Sequence, residues 1–356
     1  MRIIHTSDLH LGSPMTSHLE PSKIRERQRE LSETFDRLAD EAVRIGASAM
    51  IIAGDMFDSE RISERVCDEA ISTVRNHPSV TFFYLSGNHE GDALRRTAAL
   101  PPNMILFGKR WTYFEAGDIT VVGRSECAPG MGEELTLDGA RRNIAVLHGT
   151  LSEGNSSEGV VGRADLSNRG LDYIALGHYH KYRSHKIDER CTAVYSGTPE
   201  GRGFDECGEL GYVLLEVDGS GIRERFVPFA KRRVHEVDVD LYGVGRVSEI
   251  ALRCEDALRG IPSSDLVRVN LVGRTDRELI KDTAGLERRF GGGFYYFEVK
   301  DETKLVINPE DYENDPSLKG EFIRRVMADA SLSESMRTKV LSVGLYALRG
   351  ESYFDV

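Results

Sequence analysis

Five short apolar runs, each followed by a side chain that can bind a metal, constrain this chain more than any other feature. The runs are Arg2–Thr6, Ala49–Ala53, Thr81–Leu85, Asn143–Leu147 and Asp172–Leu176. Each has the length of a β-strand, is rich in Ile, Val, Phe or Leu, and stops at Gly, Asp, Asn or His. In an open α/β sheet the binding crevice lies at the carboxyl ends of the strands. Residues that are far apart in sequence are therefore predicted to converge on one cleft.

The side chains that follow these runs form a set of seven candidate metal ligands. They are Asp8, His10, Asp55, Asn88, His148, His178 and His180, in the motifs SDLH, GDMFD, GNHE, LHG and GHYH. Members of the SDLH and GHYH pairs are separated by one residue, so in an extended segment both members project to the same side. Imidazole, carboxylate and amide ligands together suit Mn, Fe or Zn better than Mg or Ca. The motifs indicate a two-metal phosphoesterase, in which two ions clamp a phosphate.

Length, charge and cysteine content limit the classes of protein to consider. A chain of 356 residues predicts two domains, or one large domain with an appendage. It has no apolar stretch of the roughly 18 residues that a membrane helix needs, and no secretory leader, so we expect a cytoplasmic protein. Its five cysteines lack CxxC spacing, which argues against a disulfide framework or a cysteine metal site.

The formal charge of −12 argues against a general electrostatic affinity for nucleic acid. It does not exclude a phosphodiester substrate, because bound divalent cations invert the sign of the field in a cleft. Among the local basic groups, Lys181 and Arg183 are the preferred candidates for substrate binding, since they directly follow GHYH.

The order of elements in the first two thirds predicts an α/β domain. Apolar residues at helical spacing from Ile24 to Ile45 precede Gly46, and a second helix is predicted from about Ser63 to Asn76. The opening therefore reads βαβαβ, which favours parallel strands. Later strands, including two joined by the hairpin turn DGSG, favour a mixed sheet over a purely parallel one.

A second pattern begins near His235, where apolar and charged residues alternate. It predicts a small α+β module, followed by two amphipathic helices near the end of the chain. The predicted domains are residues 1–233, 234–305 and 306–356, with the chemistry confined to the first.

The longer motifs HTSDLHLGSP, IIAGDMFDSE, LSGNHE, DYIALGHYHK and YSGTPEGRGFDECGELG carry a family resemblance. Over most of residues 1–230 the chain resembles the calcineurin-like metallophosphoesterase superfamily, and within it the SbcD-type, YhaO-like DNA repair exonucleases. The resemblance implies a four-layer αββα sandwich of mixed sheets, with a small C-terminal α+β cap module and terminal helices.

The resemblance also implies roles for the motif residues. Asp8, His10 and His180 are implied as ligands of one metal, Asn88, His148 and His178 as ligands of the other, and Asp55 as the bridge. His89 is implied as the catalytic group that orients the phosphate and protonates the leaving oxygen. An imidazole suits general acid catalysis near neutral pH because its unperturbed pKa lies close by.

One position departs from the pattern of the superfamily's double-strand-break nucleases. Some of these have a His shortly after GDxF, where this chain has Asp58. A carboxylate there would repel a phosphate, so we expect Asp58 to hydrogen-bond within its loop and assign it no catalytic role.

The first functional hypothesis is a Mn-dependent DNA nuclease of DNA repair that contains two divalent metal ions, with Fe or Zn as other candidates for the metal. The resemblance adds an SMC-like coiled-coil ATPase as a partner, together with a homodimer. One alternative keeps the metals and changes the substrate, giving a phosphodiesterase or phosphatase for nucleotides or other small phosphoesters. A second alternative is a non-catalytic metal-binding scaffold of a repair complex.

Overall fold

The structure is a computed structural model that describes residues 1–15, 19–59, 61–87, 94, 100–275, 282–305 and 309–349. The chain divides into two compact units, residues 1–235 and 236–356.

The first unit contains most of the strands. They are β1 (Arg2–Thr6), β2 (Ala49–Ala53), β3 (Thr81–Leu85), β4 (Met104–Leu106), β5 (Thr112–Ala116), β6 (Ile119–Gly123), β7 (Arg142–His148), β8 (Thr150–Ser152), β9 (Val160–Gly162), β10 (Tyr173–Gly177), β11 (Arg183–Lys186), β12 (Thr192–Tyr195), β13 (Gly211–Asp218) and β14 (Gly221–Pro228). Its described helices are α1 (Pro21–Arg44), α2 (Glu64–Asn76) and the single turn α3 (Arg163–Leu166).

Two six-stranded sheets form the frame of this unit. Their strand orders are β14-β13-β1-β2-β3-β4 and β11-β12-β10-β7-β6-β5. In the first, β1 to β4 are parallel and β13 and β14 are antiparallel additions. In the second, β12, β10, β7 and β6 are parallel, with antiparallel strands at both edges. Both sheets are therefore mixed, as predicted.

The core lies in three layers of apolar side chains. Residues such as Phe35 and Val74 pack α1 and α2 onto the first sheet. Ile51 and Val146 belong to the cluster between the two sheets. Leu166 of α3 joins loop residues over the outer face of the second sheet. The predicted α/β sandwich is confirmed, and in the described residues its fourth layer comprises the short helix α3, the short strands β8 and β9, and loops.

The helix termini follow the sequence signals. α1 begins three residues earlier than the apolar spacing indicates, with Pro21 at its first position, where proline is favoured. Gly46 ends it with a φ of +66°, a conformation that glycine adopts without steric cost. The hydroxyl of Ser63 accepts a hydrogen bond from the Val66 amide and caps α2.

The second unit is an α+β arrangement followed by helices. Its strands are β15 (Val234–Asp240), β16 (Leu266–Val272), β17 (Arg274–Thr275), β18 (Tyr296–Asp301) and β19 (Lys304–Leu305), and its helices are α4 (Val247–Ala257), α5 (Thr283–Phe290), α6 (Leu318–Ala328) and α7 (Glu334–Arg349), with 3-10 turns at Gly291–Gly293 and Pro309–Tyr312. The sheet β15-β16-β18 and the pair α6 and α7 have separate apolar clusters. The division into a cap module and a terminal helical segment stays a proposal.

Among the described residues, no helix combines the length and the apolar composition that crossing a bilayer requires.

Candidate metal centre

Four parallel strands from the two sheets deliver the candidate ligands. Asp8 follows β1 and Asp55 follows β2 in the first sheet, whereas His148 ends β7 and His178 follows β10 in the second. Each residue lies at the carboxyl end of its strand. In each sheet, two neighbouring parallel strands thus end at the same place. This agrees with the expectation that the ligands converge at the carboxyl ends of the strands.

Backbone hydrogen bonds join the loops that follow β1 and β2. The amide of Asp8 donates to the Gly54 carbonyl at 3.0 Å, that of His10 to the Asp55 carbonyl at 3.0 Å, and that of Leu11 to the Met56 carbonyl at 2.8 Å. These bonds hold the SDLH and GDMFD motifs in register beyond the end of the sheet.

The backbone at the ligand positions is not extended, so the predicted strand-like projection of Asp8 and His10 is wrong. β1 ends at Thr6, and Asp8, His10 and Asp55 have φ angles of +53°, +46° and +49°. His178, beyond the end of β10, has a φ of +107°. Positive φ is uncommon in residues other than glycine and costs on the order of 1–3 kcal/mol each. Consecutive turns, rather than the period of a strand, aim these side chains.

Two groups of potential ligand atoms share the carboxylate of Asp8. One comprises Asp8, His10 and His180, and the other Asp8, Asp55 and His148; in each group the ligand atoms lie within 4.8 Å of one another. The His148 Nε2 lies 3.3 Å from the Asp55 carboxylate, and the Nε2 atoms of His10 and His180 are 3.3 Å apart. The first group matches the set implied for one metal. The carboxylate that the two groups share is that of Asp8, whereas Asp55, implied as the bridge, joins only the second group.

His178 lies beside these groups without joining either of them. Its ring packs edge-on against His148 with centroids 5.4 Å apart, and its amide donates to both carboxylate oxygens of Asp8 at 3.1 and 3.2 Å. Asn88 and His89, implied as a ligand and as the general acid, lie outside the described residues.

The charges of the carboxylates perturb the histidines. Burial alone would lower the pKa of His148, but the hydrogen bond to Asp55 and the negative charges of Asp8 and Asp55 raise it to about 9. Burial and the neighbouring His148 lower the pKa of His178. The raised pKa of His148 reflects the two carboxylates beside it, which favour positive charge at that position.

The donor set fits divalent cations. The Asp8 and Asp55 side chains are 0% and 2% exposed, and buried carboxylates with imidazoles beside them are ligands that Mn, Fe and Zn accept. Three glycines allow the groups around the ligands to pack closely, because a side chain at any of these positions would collide with a neighbour. A Cβ at Gly87 would lie 2.0 Å from the Asp55 carboxylate, one at Gly54 2.1 Å from the His148 ring, and one at Gly177 1.9 Å from a backbone carbonyl.

A network of two carboxylates and one arginine contacts the Nδ1 atoms of two candidate ligand histidines. The Nδ1 of His180 lies 2.7 Å from the Glu206 carboxylate, and the Nδ1 of His10 lies 3.2 Å from that of Asp58. Arg202 connects the two acids, donating to Glu206 at 2.9 Å and to Asp58 at 2.8 Å. Partners of this kind fix the tautomer and orientation of a ligating histidine.

This network changes the interpretation of Asp58. Its carboxylate pairs with Arg202, 144 residues away along the chain, and this pairing offsets the repulsion of phosphate that we expected. Sequence reasoning missed Arg202 and Glu206, which lie in the segment assigned as a glycine-rich loop. An Arg and a Glu four residues apart in a loop that follows a buried strand were the available signal.

Lys181 and Arg183 are both exposed. Arg183, at the start of the edge strand β11, lies over the Tyr179 ring at 5.3 Å. Their role in substrate binding stays a prediction.

A cavity of about 600 Å³ opens beside the second ligand group. His148, His178 and Gly87 form its metal-side wall, and Ser125, Cys127 and neighbouring residues form the rest. Burial raises the pKa of the Cys127 thiol to about 11, so this thiol stays protonated near neutral pH. The acidic side chains of this wall are those of Glu126 and Glu158.

The model of the calcineurin-like phosphoesterase family matches residues 1–182, which hold every described candidate ligand. The chain belongs to this family. This calcineurin-like phosphoesterase is therefore a phosphoester hydrolase, of a family that uses divalent metals. Its described Asp and His groups are arranged to hold such ions.

Curated relatives of this phosphoesterase include YhaO of Bacillus subtilis, described as an uncharacterized metallophosphoesterase, at 29% identity over 80% of this chain and 75% of the relative. A DNA double-strand break repair protein Mre11 from Sulfurisphaera tokodaii is 26% identical over 61% of this chain and 60% of its own length. The match thus spans less than two thirds of that Mre11 protein. A purple acid phosphatase from yellow lupin (Lupinus luteus) seeds superposes with a TM-score of 0.42 at 13% identity, over 64% of this chain and 51% of that one.

Proposed function

We propose that this phosphoesterase is a Mn-dependent DNA nuclease of DNA repair that cleaves phosphodiester bonds with two metal ions. The observation that carries the proposal is the pair of ligand groups that share Asp8 at the joined strand ends of the two sheets. Two adjacent groups suit a two-metal site. The similarity to proteins described as Mre11 supports DNA as the substrate.

The candidate site residues would have separate roles in binding the metals and the phosphate. Asp8, His10 and His180 would hold one ion, and His148, His178 and Asn88 the other, with Asp55 between them. Bound ions of this kind polarise the phosphate and lower the pKa of water. His89 would orient the phosphate and donate a proton to the leaving oxygen, and Arg202 would keep the His10 and His180 rings in place through Asp58 and Glu206.

The cavity beside His148 and His178 is large enough for part of a nucleotide. Because its described wall lacks a lysine or arginine and includes Glu126 and Glu158, we expect it to accept the uncharged nucleoside beside the scissile bond rather than a phosphate, while the phosphate lies on the metals.

The test compares three substrates with Mn present and absent. They are a single-stranded oligonucleotide, a double-stranded one, and bis-p-nitrophenyl phosphate. Cleavage of DNA that requires Mn and disappears in His89→Ala, with metal content retained, supports the nuclease. Asn88→Ala should lose one ion and activity together while the fold persists; a fully active variant with two metals would remove Asn88 from the ligand set.

A small phosphoester is the second candidate substrate, and the formal charge of −12 favours it. Salt dependence separates the two. A DNA enzyme loses affinity steeply as salt rises, because binding releases counterions, whereas hydrolysis of a small ester changes little. Activity on the ester alone, at any salt, would move the substrate to this second class.

We further propose an SMC-like coiled-coil ATPase as a partner and a homodimeric assembly. The terminal helices supply an apolar surface for such contacts, since Leu318 on α6 and Met336 on α7 are 72% and 50% exposed. Five free cysteines are compatible with the reducing cytoplasm. The partner is tested by co-purification: an ATPase should co-purify with wild type and should not co-purify with the double variant Leu318→Ser/Met336→Ser. The molar mass in solution tests the dimer.

A further inference from the structure

A groove of about 840 Å³ runs between α1 and α2, outside the metal centre. Leu11 and Gly12 line its inner end, and Ser59 lines the same region. These residues adjoin the centre directly: Leu11 follows His10, and Ser59 follows Asp58, which lies against the His10 ring. One lining residue of the groove, Leu11, is therefore the direct sequence neighbour of a candidate ligand.

Four arginines line the groove. Arg25 and Arg29 lie one turn apart on α1, Arg61 precedes α2, and Arg65 lies in its first turn. All four are exposed. Arg65 pairs with Glu69 at 2.5 Å, but Arg25, Arg29 and Arg61 make no hydrogen bond or ion pair with any residue in the described ranges.

The acidic residues of the groove already have partners. Glu33 pairs with Lys231 at 3.2 Å, Glu69 pairs with Arg65, and Asp36 accepts a hydrogen bond from the Thr73 hydroxyl. What remains for a ligand is a row of three unsatisfied guanidinium groups. The groove lining holds four arginines against three carboxylates, a small positive excess in a chain with a net charge of −12.

We propose that this groove binds the sugar–phosphate backbone of a DNA strand that extends away from the metal centre. The inference rests on the proposed nuclease function and deepens it, because it gives the strand a path. Guanidinium groups bind phosphates through paired N–H donors. Arg25 and Arg29 are separated by about 6 Å along the helix axis, as one turn dictates, so each can reach a different phosphate.

Continuity with the metal centre favours a nucleic acid over an acidic protein segment. A substrate strand held at the metals must leave the cleft somewhere, and the groove opens where Leu11 and Gly12 follow a candidate ligand. Polar residues such as Gln28 and Ser63 line it further, which suits a wet backbone contact without base recognition.

The test is a triple substitution, Arg25→Gln/Arg29→Gln/Arg61→Gln. Binding is measured by fluorescence anisotropy in Mn with a phosphorothioate oligonucleotide, which resists cleavage, across a range of salt. Three lost phosphate contacts should lower the slope of log K against log salt by about 2 and weaken binding up to roughly 100-fold at 0.1 M salt. Hydrolysis of bis-p-nitrophenyl phosphate, too short to reach the groove, reports on the metal centre.

A matched control removes the same charge elsewhere. Arg75, Arg110 and Arg225 are exposed and do not line the groove, so Arg75→Gln/Arg110→Gln/Arg225→Gln should change binding far less. Equal binding by the two triple variants overturns the inference, even where DNA is still cleaved and the proposed function stands. Loss of small-ester hydrolysis in the groove variant also overturns it, because the arginines would then support the metal loop.

Two further outcomes separate this inference from the nuclease proposal. A wild-type protein that hydrolyses only the small ester, yet binds the oligonucleotide through these arginines, refutes the nuclease and retains the groove. A wild-type protein that binds polyglutamate but no oligonucleotide overturns the inference and assigns the groove to an acidic protein segment.

Discussion

A buried histidine beneath the metal centre should make this protein sensitive to mild acid. His5 lies on β1, is 0% exposed, and packs between the two sheets, where its Nδ1 lies 2.9 Å from the Tyr173 hydroxyl of β10. Burial lowers the pKa of His5 from 6.5 to about 3, against a smaller opposing effect of a backbone hydrogen bond to Leu176. The ring is therefore neutral in the folded protein under all ordinary conditions.

The size of the effect follows from linkage. Below pH 6.5 His5 becomes protonated in the unfolded chain, whereas in the folded protein it becomes protonated only near pH 3. Since the pKa of the folded state is depressed, the stabilisation is complete above pH 6.5 and declines as the pH falls toward 3. pH 5 is 1.5 units below the unfolded-state pKa of 6.5, so proton uptake by the unfolded chain has lowered the free energy of unfolding by about 2 kcal/mol at that pH.

The assay uses urea unfolding of wild type and His5→Gln at pH 7.5 and 5, with EDTA present so that metal loading does not vary. The chain has a single tryptophan. Trp111 is half-buried in the first unit and donates to the Met131 carbonyl at 2.8 Å, so its fluorescence reports on that unit alone. Between the two pH values, wild type should lose about 2 kcal/mol more than His5→Gln.

His77 supplies a control of opposite sign. Its ring contacts the Thr73 carbonyl at 2.7 Å and Asp40 at 3.0 Å. Burial opposes charging, but these two contacts together raise the pKa. A group with a raised pKa stabilises the folded state below pH 6.5, and this stabilisation disappears as the pH rises. When the pH falls from 7.5 to 5, His77→Gln should therefore lose more free energy of unfolding than wild type. Equal acid losses in wild type and His5→Gln would refute the reasoning about burial.

Three further predictions concern the metal centre and the buried charges. Arg202→Met should weaken Mn binding roughly 10- to 100-fold, measured by calorimetry, because the carboxylates that hold two histidine rings lose their common partner; Arg202→Lys should recover part of it, and unchanged affinity would contradict the network. Gly87→Ala should abolish Mn binding and ester hydrolysis, since the new methyl group collides with the Asp55 carboxylate, whereas Gly154→Ala, in open space, should preserve both. Arg27→Met should lower the free energy of unfolding by about 3–5 kcal/mol in urea titrations, because it leaves the buried carboxylate of Glu200 without its ion pair at 2.9 Å; a loss below 1 kcal/mol would show that the pair contributes little.

The elements nearest the metal centre were predictable because their sequence signals are local. The strand ending at Ala53 is wholly apolar, fully buried, and stops at Gly54. The helix after it has a capping serine at Ser63 and one apolar face. In both cases the side-chain pattern and the residue at the end of the element indicate the same structure, so the local signals agree with the tertiary structure.

The partners behind the ligands were not predictable for the opposite reason. Arg202 and Glu206 lie in a loop without periodicity, and their functional position depends on contacts with Asp58 and His180 across 144 and 26 residues. The short edge strand β11 was missed as well, because it is exposed along its whole length. A strand without a buried face leaves no apolar alternation to detect.

The backbone of the ligand residues connects these observations. Positive φ at Asp8, His10, Asp55 and His178 costs several kcal/mol in total, and it persists because surrounding contacts determine each conformation. The amides of Asp8 and His10 are bonded to the loop after β2, and the amide of His178 is bonded to the Asp8 carboxylate. Hydrogen bonds within the chain thus help to orient Asp8, His10 and His178, and support of this kind around metal ligands limits the reorganisation that ion binding must drive.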